Sequence, residues 1–460
     1  MVNALTEKYV AECVDGPLRT AVRDATYPPA FAAAFQPALL PRPLLVDEGE
    51  IRRWADDLSV IFDLLVSLPR RLFDGDLERY CVAAGIDAQL AALMTRDVTG
   101  DPPRFLRSDA FYDGATFRLL ELNSGSELGG LEIAAVNRSL LGVEAFQDFA
   151  ARHELSYVDT ADMVAGVLRD VAACVTSSER PLVALVEATG GLAAHGRHFA
   201  SIQEAMVSCG LDFRLGEVQQ LGITRGKLTL EGAPVDVVMR YFAAGEILQC
   251  PAGPSVLEPI LEAHRNGKTV LYTTLESSLF ASKGSLALLS DPRFRSSFDA
   301  GERRLIDRVV PWTRLLVGDD QLVEHCLANR DRLIVKPSVG WGAAGAVAGP
   351  AAGDDEWRAL VTSRLDQGYV AQEIVTPVPE PVCDPDTGMI EDWYANWGVF
   401  VTRAGYSGAI VRALKPADGR VIALSRHGTR LTSAFSFAGD PGPGDPGPGD
   451  PASPGTQPAQ

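Results

Sequence analysis

The sequence predicts a mixed chain in which α/β and α+β sections follow a helical N-terminal region. Three observations carry this reading. Apolar residues recur every three or four positions from Ile51 through Trp54, Leu58, Ile61 and Leu65 to Leu68, the spacing of a helix with one buried face. From about 181, short apolar runs alternate with helical stretches, as strands do in a parallel sheet covered on both faces. Beyond a mostly helical section at 276–330, strand-like runs return.

The elements follow in order. The first helix is expected to end at Pro69, and its outer face carries Arg53, Asp56, Asp57 and Asp63. Leu182–Val186 and Val235–Met239 read as covered strands, with a helix near 197–209 between them. Leu257–Arg265 then reads as a helix and Thr269–Leu271 as a strand. In the last section Arg332–Lys336, Gly368–Val375, Gly398–Thr402 and Gly408–Leu414 read as strands. The chain divides accordingly into a helical region at 1–165, a middle α/β domain at 166–275, an α+β section at 276–437 and a tail at 438–460. The tail repeats Gly-Asp-Pro-Gly-Pro, offers almost nothing to bury and is expected to be disordered.

At 460 residues, with 46% apolar and 22% charged side chains, the chain is long enough for two or three packed units. Its 42 basic residues against 60 acidic ones leave a net charge of −18, which repels polyphosphate backbones and excludes general nucleic-acid binding. A cationic substrate, or a nucleotide accompanied by a metal, remains compatible. The seven cysteines are scattered without a C-x-x-C pair, so they read as reduced thiols. The start, Met1 to Lys8, lacks a basic segment followed by an apolar core, and no apolar run reaches the roughly 18 residues of a membrane span. A cytoplasmic protein without a membrane partner is expected.

The most informative stretch runs from Arg107 to Asn123. Asp113-Gly114 stands between two strand-like runs and signals a hairpin. A two-residue turn sets Asp109 opposite Arg118, facing away from Glu121; a longer loop or a bulge sets it opposite Leu119 and restores convergence. Glu121 and Asn123 are expected on one face with Phe117 and Leu119, and Arg107 on the face of Asp109. With the bulge, Asp109, Glu121 and Asn123 offer hard oxygen ligands suited to magnesium. Without it, the acids are solvated. Glu121 favours the first alternative, because it ends an apolar strand and leads into the small-residue loop Asn123-Ser124-Gly125-Ser126.

Leu333–Lys336 reads as a strand ending in lysine and proline before a glycine-rich loop, whose backbone amides suit phosphate. Gly340, Gly342 and Gly345 match G-x-G-x-x-G, but Gly349-Pro350 follows where the dinucleotide fingerprint needs a helix. No lysine followed by serine or threonine closes the loop as a P-loop requires. The alternative is a loop over a triphosphate, with Lys336 on a phosphate oxygen. Lys283 opens a helical stretch where its ammonium and the amides beneath it meet an anion, or where it is simply solvated. Tyr369–Val375 offers backbone groups to an adenine edge through Gln372, Glu373, Ile374 and Val375. Arg412 lies in an apolar strand and needs an anionic partner, whether ligand or salt bridge. Arg240 is a weaker substrate candidate with a domain-interface salt bridge as its alternative, and His195 and His198 after Gly190-Gly191 read as surface histidines.

Taken in order, these pieces resemble ATP-grasp carboxylate–amine ligases, in the circularly permuted branch that includes the synthetase part of glutathionylspermidine synthetase. That family shows Arg-x-Asp and then Glu-x-Asn twelve residues after the aspartate, here Arg107-Ser108-Asp109 and Glu121-Leu122-Asn123. The likeness continues through Lys283, Lys336-Pro337 with its glycine loop, Gln372-Glu373 and the Gly-x-x-x-Arg strand of Gly408 and Arg412. It implies an ATP-grasp architecture with a pre-ATP-grasp-like middle domain, ATP and Mg2+ as cofactors, and a small-molecule acid and amine as substrates. Metal roles then fall on Asp109, Glu121 and Asn123, and catalytic roles on Arg107 and Arg412. The nucleotide falls to Lys283, Lys336, Gly340, Gly342 and Gln372 to Val375. Trp341 stands where the family's loop commonly has arginine, and no amidase partner domain with a catalytic cysteine and histidine is recognisable before Arg107. Two rivals stay open: an NAD-dependent oxidoreductase using the three glycines, and a nucleotide-binding regulator without turnover.

Overall fold

The computed structural model describes residues 3–98, 100–340, 342 and 344–439. Trp341 and the Gly/Pro/Asp tail from 440 onward lie outside the described residues. The fold is mixed α/β, with the long first helix packed on the largest of several sheets.

That sheet joins both ends of the chain. Its strands run Leu44–Asp47, Arg430–Phe437, Gly405–Leu414, Ile390–Thr402, Phe105–Tyr112 and Phe117–Ser124, with Glu380–Cys383 pairing alongside Ile390–Thr402. The hairpin that carries Asp109 and Glu121 is therefore in one sheet with the strand that carries Arg412. The strand expected at Gly398–Thr402 begins eight residues earlier, at Ile390. Its added half holds Glu391, Asp392 and Asn396, which break the apolar run by which strands are recognised.

The helix Glu48–Phe73 starts where Asp47 accepts a hydrogen bond from the Glu50 amide at 2.8 Å. Ile51, Leu58, Ile61 and Leu65 are fully buried, and Trp54 stacks on Phe117 at 5.3 Å. Pro69 does not end this helix as the sequence suggests. One further turn carries Phe73 against Tyr80 and Phe294, with ring centroids at 6.2 and 6.1 Å, and Asp74 then closes it in the left-handed conformation. This packing offsets the backbone bond that the proline lacks.

The middle of the chain forms a parallel sheet in the order Val270–Tyr272, Val237–Arg240, Leu182–Glu187, Asp212–Glu217. The helix Gly191–Ser208 makes the first crossover, starting earlier than expected and kinked at His195. The chain leaves Leu182–Glu187 toward one neighbour and returns to the other, so the ends of Leu182–Glu187 and Val237–Arg240 flank a topological switch point. A small meander, Leu221–Thr224, Lys227–Leu230 and Ala233–Pro234, was not foreseen.

A second four-stranded sheet is antiparallel, in the order Thr313–Leu315, Tyr369–Glu373, Leu333–Pro337, Val347–Ala348. Trp357 pins its helices by donating Nε1–H to the Cys326 carbonyl at 2.9 Å. After Gly345 the chain forms the short strand Val347–Ala348 and a 3-10 turn at Gly349–Ala351, so the helix a dinucleotide fingerprint needs is replaced by a strand. All seven cysteines are free thiols. Among the described residues no helix is long and apolar enough to cross a membrane.

Candidate functional site

The hairpin register decides where its acids point. Tyr112 pairs with Phe117, Phe111 with Arg118 and Ala110 with Leu119; the register then shifts, and Asp109 pairs with Glu121, Ser108 with Leu122 and Arg107 with Asn123. The bulge falls at Leu120 rather than in the turn, so Asp109 is opposite Glu121 and not Leu119. Directly opposed residues share a face, so Arg107, Asp109, Glu121 and Asn123 converge on one side. Phe117 and Leu119 do not share that side as expected: they point into the core with Leu122, because the bulge reverses the alternation.

The second sheet faces this hairpin across a cleft of about 1060 Å³. The cleft is lined by Arg107, Asp109, Glu121, Asn123, Lys283, Lys336, Gly340, Gly342, Gln372, Glu373, Ile374, Val375 and Arg412, which brings together every residue singled out for the metal, nucleotide and catalytic roles. It also takes in residues the sequence reading missed: Phe111, Leu120, Ile334, Asn396 and the loop Arg420 to Ala423. Asn396 is 4% exposed and its Oδ1 has no hydrogen-bond partner among the described residues. A buried asparagine in an otherwise apolar strand was the available signal for it.

Five cationic side chains line the cleft against three carboxylates, in a chain whose net charge is −18. The cleft therefore inverts the sign of the surrounding protein and suits an anion. Each carboxylate has a cationic partner. Arg412 bonds Asp109, with Arg107 Nε 3.7 Å from the same oxygen. Lys283 Nζ lies 3.1 Å from Glu121, and Arg332 3.0 Å from Glu373. The salt-bridge alternative for Arg412 is thus realised within the cleft itself.

Lys283 opens the helix Lys283–Ser290 as expected, but the amides beneath it are spent. Lys283 N donates to Ser338 O at 2.8 Å, Gly284 N to Ser338 Oγ at 3.0 Å and Ser285 N to Ser282 Oγ at 3.2 Å. Only the ammonium faces the cleft, where it also reaches Gly340 O at 3.1 Å. Lys336 donates to Gln372 Oε1 at 2.7 Å, and Gln372 Nε2 donates to Thr313 Oγ1 at 3.1 Å and Leu120 O at 3.3 Å. Gln372 thereby orients Lys336 and ties the two sheets together. Burial, followed by the nearby Lys283, pulls the Lys336 ammonium down to about 8.

Asp109, Glu121 and Asn123 present two carboxylates and an amide on neighbouring strand positions. Among the described residues no cluster of three His, Cys, Asp or Glu side chains is able to hold an ion alone. Magnesium does not need one, since it takes one or two carboxylates and fills its shell with water and phosphate oxygens. The donor set fits that ion.

The weaker candidates separate. Arg240 is fully buried and donates to Thr273 O at 2.9 Å and Phe242 O at 2.8 Å while pairing with Glu127 at 2.8 Å, so it braces the end of its strand. His195 is exposed and His198 is half-buried: its Nε2 lies 3.2 Å from the Tyr241 hydroxyl and its Nδ1 3.4 Å from Glu132.

No family model matches the chain. A segment of 151 residues, 32% of the chain, is 29% identical to a protein of Frankia alni (strain DSM 45986 / CECT 9034 / ACN14a) named "Putative glutamate--cysteine ligase 2-3". That segment spans 17% of the relative's length. In three dimensions the chain is similar to a glutathione synthetase-like effector of Globodera pallida, with a TM-score of 0.55 and 11% identity over 94% of this chain and 96% of that one. The two share a fold.

Proposed function

We propose that this chain is an ATP-dependent carboxylate–amine ligase of the ATP-grasp type, which makes an amide bond through an acyl phosphate and releases ADP and phosphate. The observation that carries the reading is the convergence of Asp109, Glu121 and Asn123 on one face, opposite Lys283 and Lys336 across a single cationic cleft. The partial likeness to a glutamate–cysteine ligase supports amino acids as the first acids and amines to try.

In this reading a carboxylate oxygen of the acid attacks the γ-phosphorus of ATP, and the bond to the β,γ-bridging oxygen breaks. The amine nitrogen then attacks the acyl carbon, and the bond to phosphate breaks. Arg107 holds the acid's carboxylate, while Lys283 and Lys336 bind phosphate oxygens and Arg412 stabilises charge that develops during transfer. The backbone of Glu373 to Val375 meets the adenine edge between the apolar walls of Ile334 and Ile422. Asp109, Glu121 and Asn123 would hold Mg2+, which supplies charge neutralisation of the phosphates. Keeping both reactants in one cleft is worth up to about 7–11 kcal/mol in good geometry and excludes the water that would hydrolyse the acyl phosphate.

The test is ADP release with Mg2+ and ATP across pairs of amino acids and polyamines, with products identified by mass. ADP that appears only when an acid and an amine are both present supports the ligase, and ATP binding without ADP release under every pairing overturns it.

A further inference from the structure

Amide synthesis from an ammonium substrate needs a proton acceptor, because the nitrogen has no lone pair until a proton leaves. The described cleft lining holds no histidine, each carboxylate there is paired with a cation, and Lys336 is assigned to phosphate. Three suitable groups stand in a row just behind the cleft, the first two joined by a hydrogen bond and the last two by an ion-pair contact. The Tyr241 hydroxyl lies 3.2 Å from His198 Nε2, and His198 Nδ1 lies 3.4 Å from Glu132 Oε1. Glu132 is 2% exposed, and its second oxygen has no hydrogen-bond partner among the described residues. Glu132 beside Nδ1 leaves Nε2 as the ring atom that meets the Tyr241 hydroxyl.

Position links this chain to the cleft. Arg107 donates to the Gly129 carbonyl at 2.8 Å, and a Cβ at Gly129 would lie 3.6 Å from both the Tyr241 hydroxyl and His198 Nε2. One peptide thus separates the proposed carboxylate anchor from the phenol. Tyr241 follows the strand Val237–Arg240 directly, and its N–H donates to Val186 O at 2.8 Å. It therefore stands at the switch point of the parallel sheet, where open α/β sheets bind ligands. Burial within this mouth holds the Tyr241 phenol well above its ordinary value, with Glu132 raising it further and Arg107 lowering it.

We propose that Tyr241, His198 and Glu132 form a proton relay for an acceptor ammonium bound at this mouth; the inference rests on the ligase reading. One ammonium proton passes to the Tyr241 oxygen while the phenolic proton passes to His198 Nε2, which frees the nitrogen lone pair to attack the acyl carbon. Glu132 stabilises the imidazolium; the acyl carbon's bond to phosphate then breaks, and the second nitrogen proton leaves with the phosphate as hydrogen phosphate. Tyr241 is the catalytic group, and His198 and Glu132 are positioning residues. The charged groups that act on Tyr241 are Glu132, Arg107, Glu187 and Glu127, after burial itself. His198 faces Glu132 and Tyr241, and its other ring contacts are Phe35 and Phe199.

The test uses the full chain with Mg2+, ATP, an equimolar mixture of the twenty amino acids plus spermidine, and hydroxylamine as a competing nucleophile that is already neutral at pH 7. Hydroxamates report the acyl phosphate, and amides report transfer to an ammonium. Tyr241→Phe and His198→Gln should keep hydroxamate formation and lose amide formation by about 10²-fold or more. Equal loss of both products, or amide formation at the wild-type rate, overturns the relay. Absence of both products from the wild type overturns the ligase reading and the relay with it.

Discussion

Asp109 and Glu121 stand directly opposite each other on antiparallel strands because Leu120 is bulged out of the pairing. The same bulge puts Leu120 into the cleft wall and turns its carbonyl toward Gln372, whose amide reaches it at 3.3 Å. One inserted residue thus aims the acids and ties the hairpin to the sheet that carries Lys336. Deleting Leu120 should leave Asp109 and Glu121 paired in a regular ladder but remove the carbonyl that Gln372 reaches, a loss of about 0.5–1.5 kcal/mol. Leu120→Ala keeps the backbone count and should retain the register. Urea unfolding of the two variants distinguishes these outcomes.

Lys336 provides a pH signature. Its folded ammonium titrates at about 8, below the ordinary lysine value of about 10.4. Between these values the unfolded chain holds a proton that the folded chain has released, so stability rises with pH across that window, and the burial penalty is full below it. An anion bound beside Lys336 favours the charged form. ATP binding should therefore take up a proton near pH 8 and weaken above it. Calorimetry in buffers of different ionisation enthalpy measures the uptake, and Lys336→Arg should abolish it.

Gly408 opens the Gly-x-x-x-Arg strand but does not line the cleft. Its φ is +100°, and a Cβ there would lie 2.1 Å from Thr160 Oγ1. Gly408→Ala should destabilise the protein by about 1–3 kcal/mol through backbone strain and a forced shift. The loss should appear in thermal unfolding, with nucleotide affinity retained at temperatures where the variant is folded.

Arg240 should behave as a brace rather than a ligand. Arg240→Ala leaves Glu127 and two carbonyls without their donor, so a loss of about 3–5 kcal/mol is expected in denaturant unfolding. Addition of amino acids or ATP should leave that difference unchanged.

Much of the site was legible because its residues cluster in short motifs. Alternation and the Asp113-Gly114 signal located the hairpin, and Lys336 with its glycines marked the opposite wall. The bulge at Leu120 was misplaced because nothing local fixes it; the pairing of Ser108 with Leu122 and their burial in the core select it. Asn396 and the Arg420 to Ala423 loop escaped notice because only pairing distant in sequence brings them to the cleft, Asn396 opposite Arg412. Pro69 misled for the same reason: the aromatic packing of Phe73 outweighs a local breaker.

The central claim is that the Asp109, Glu121 and Asn123 face binds ATP together with a divalent ion. Titrating ATP into the protein with and without Mg2+, for the wild type and for Glu121→Gln, tests it most directly. The account predicts that Mg2+ strengthens ATP binding by about tenfold or more in the wild type, a gain of about 1.4 kcal/mol, and that Glu121→Gln loses this gain. Equal affinity with and without Mg2+, or an undiminished gain in the variant, would contradict it.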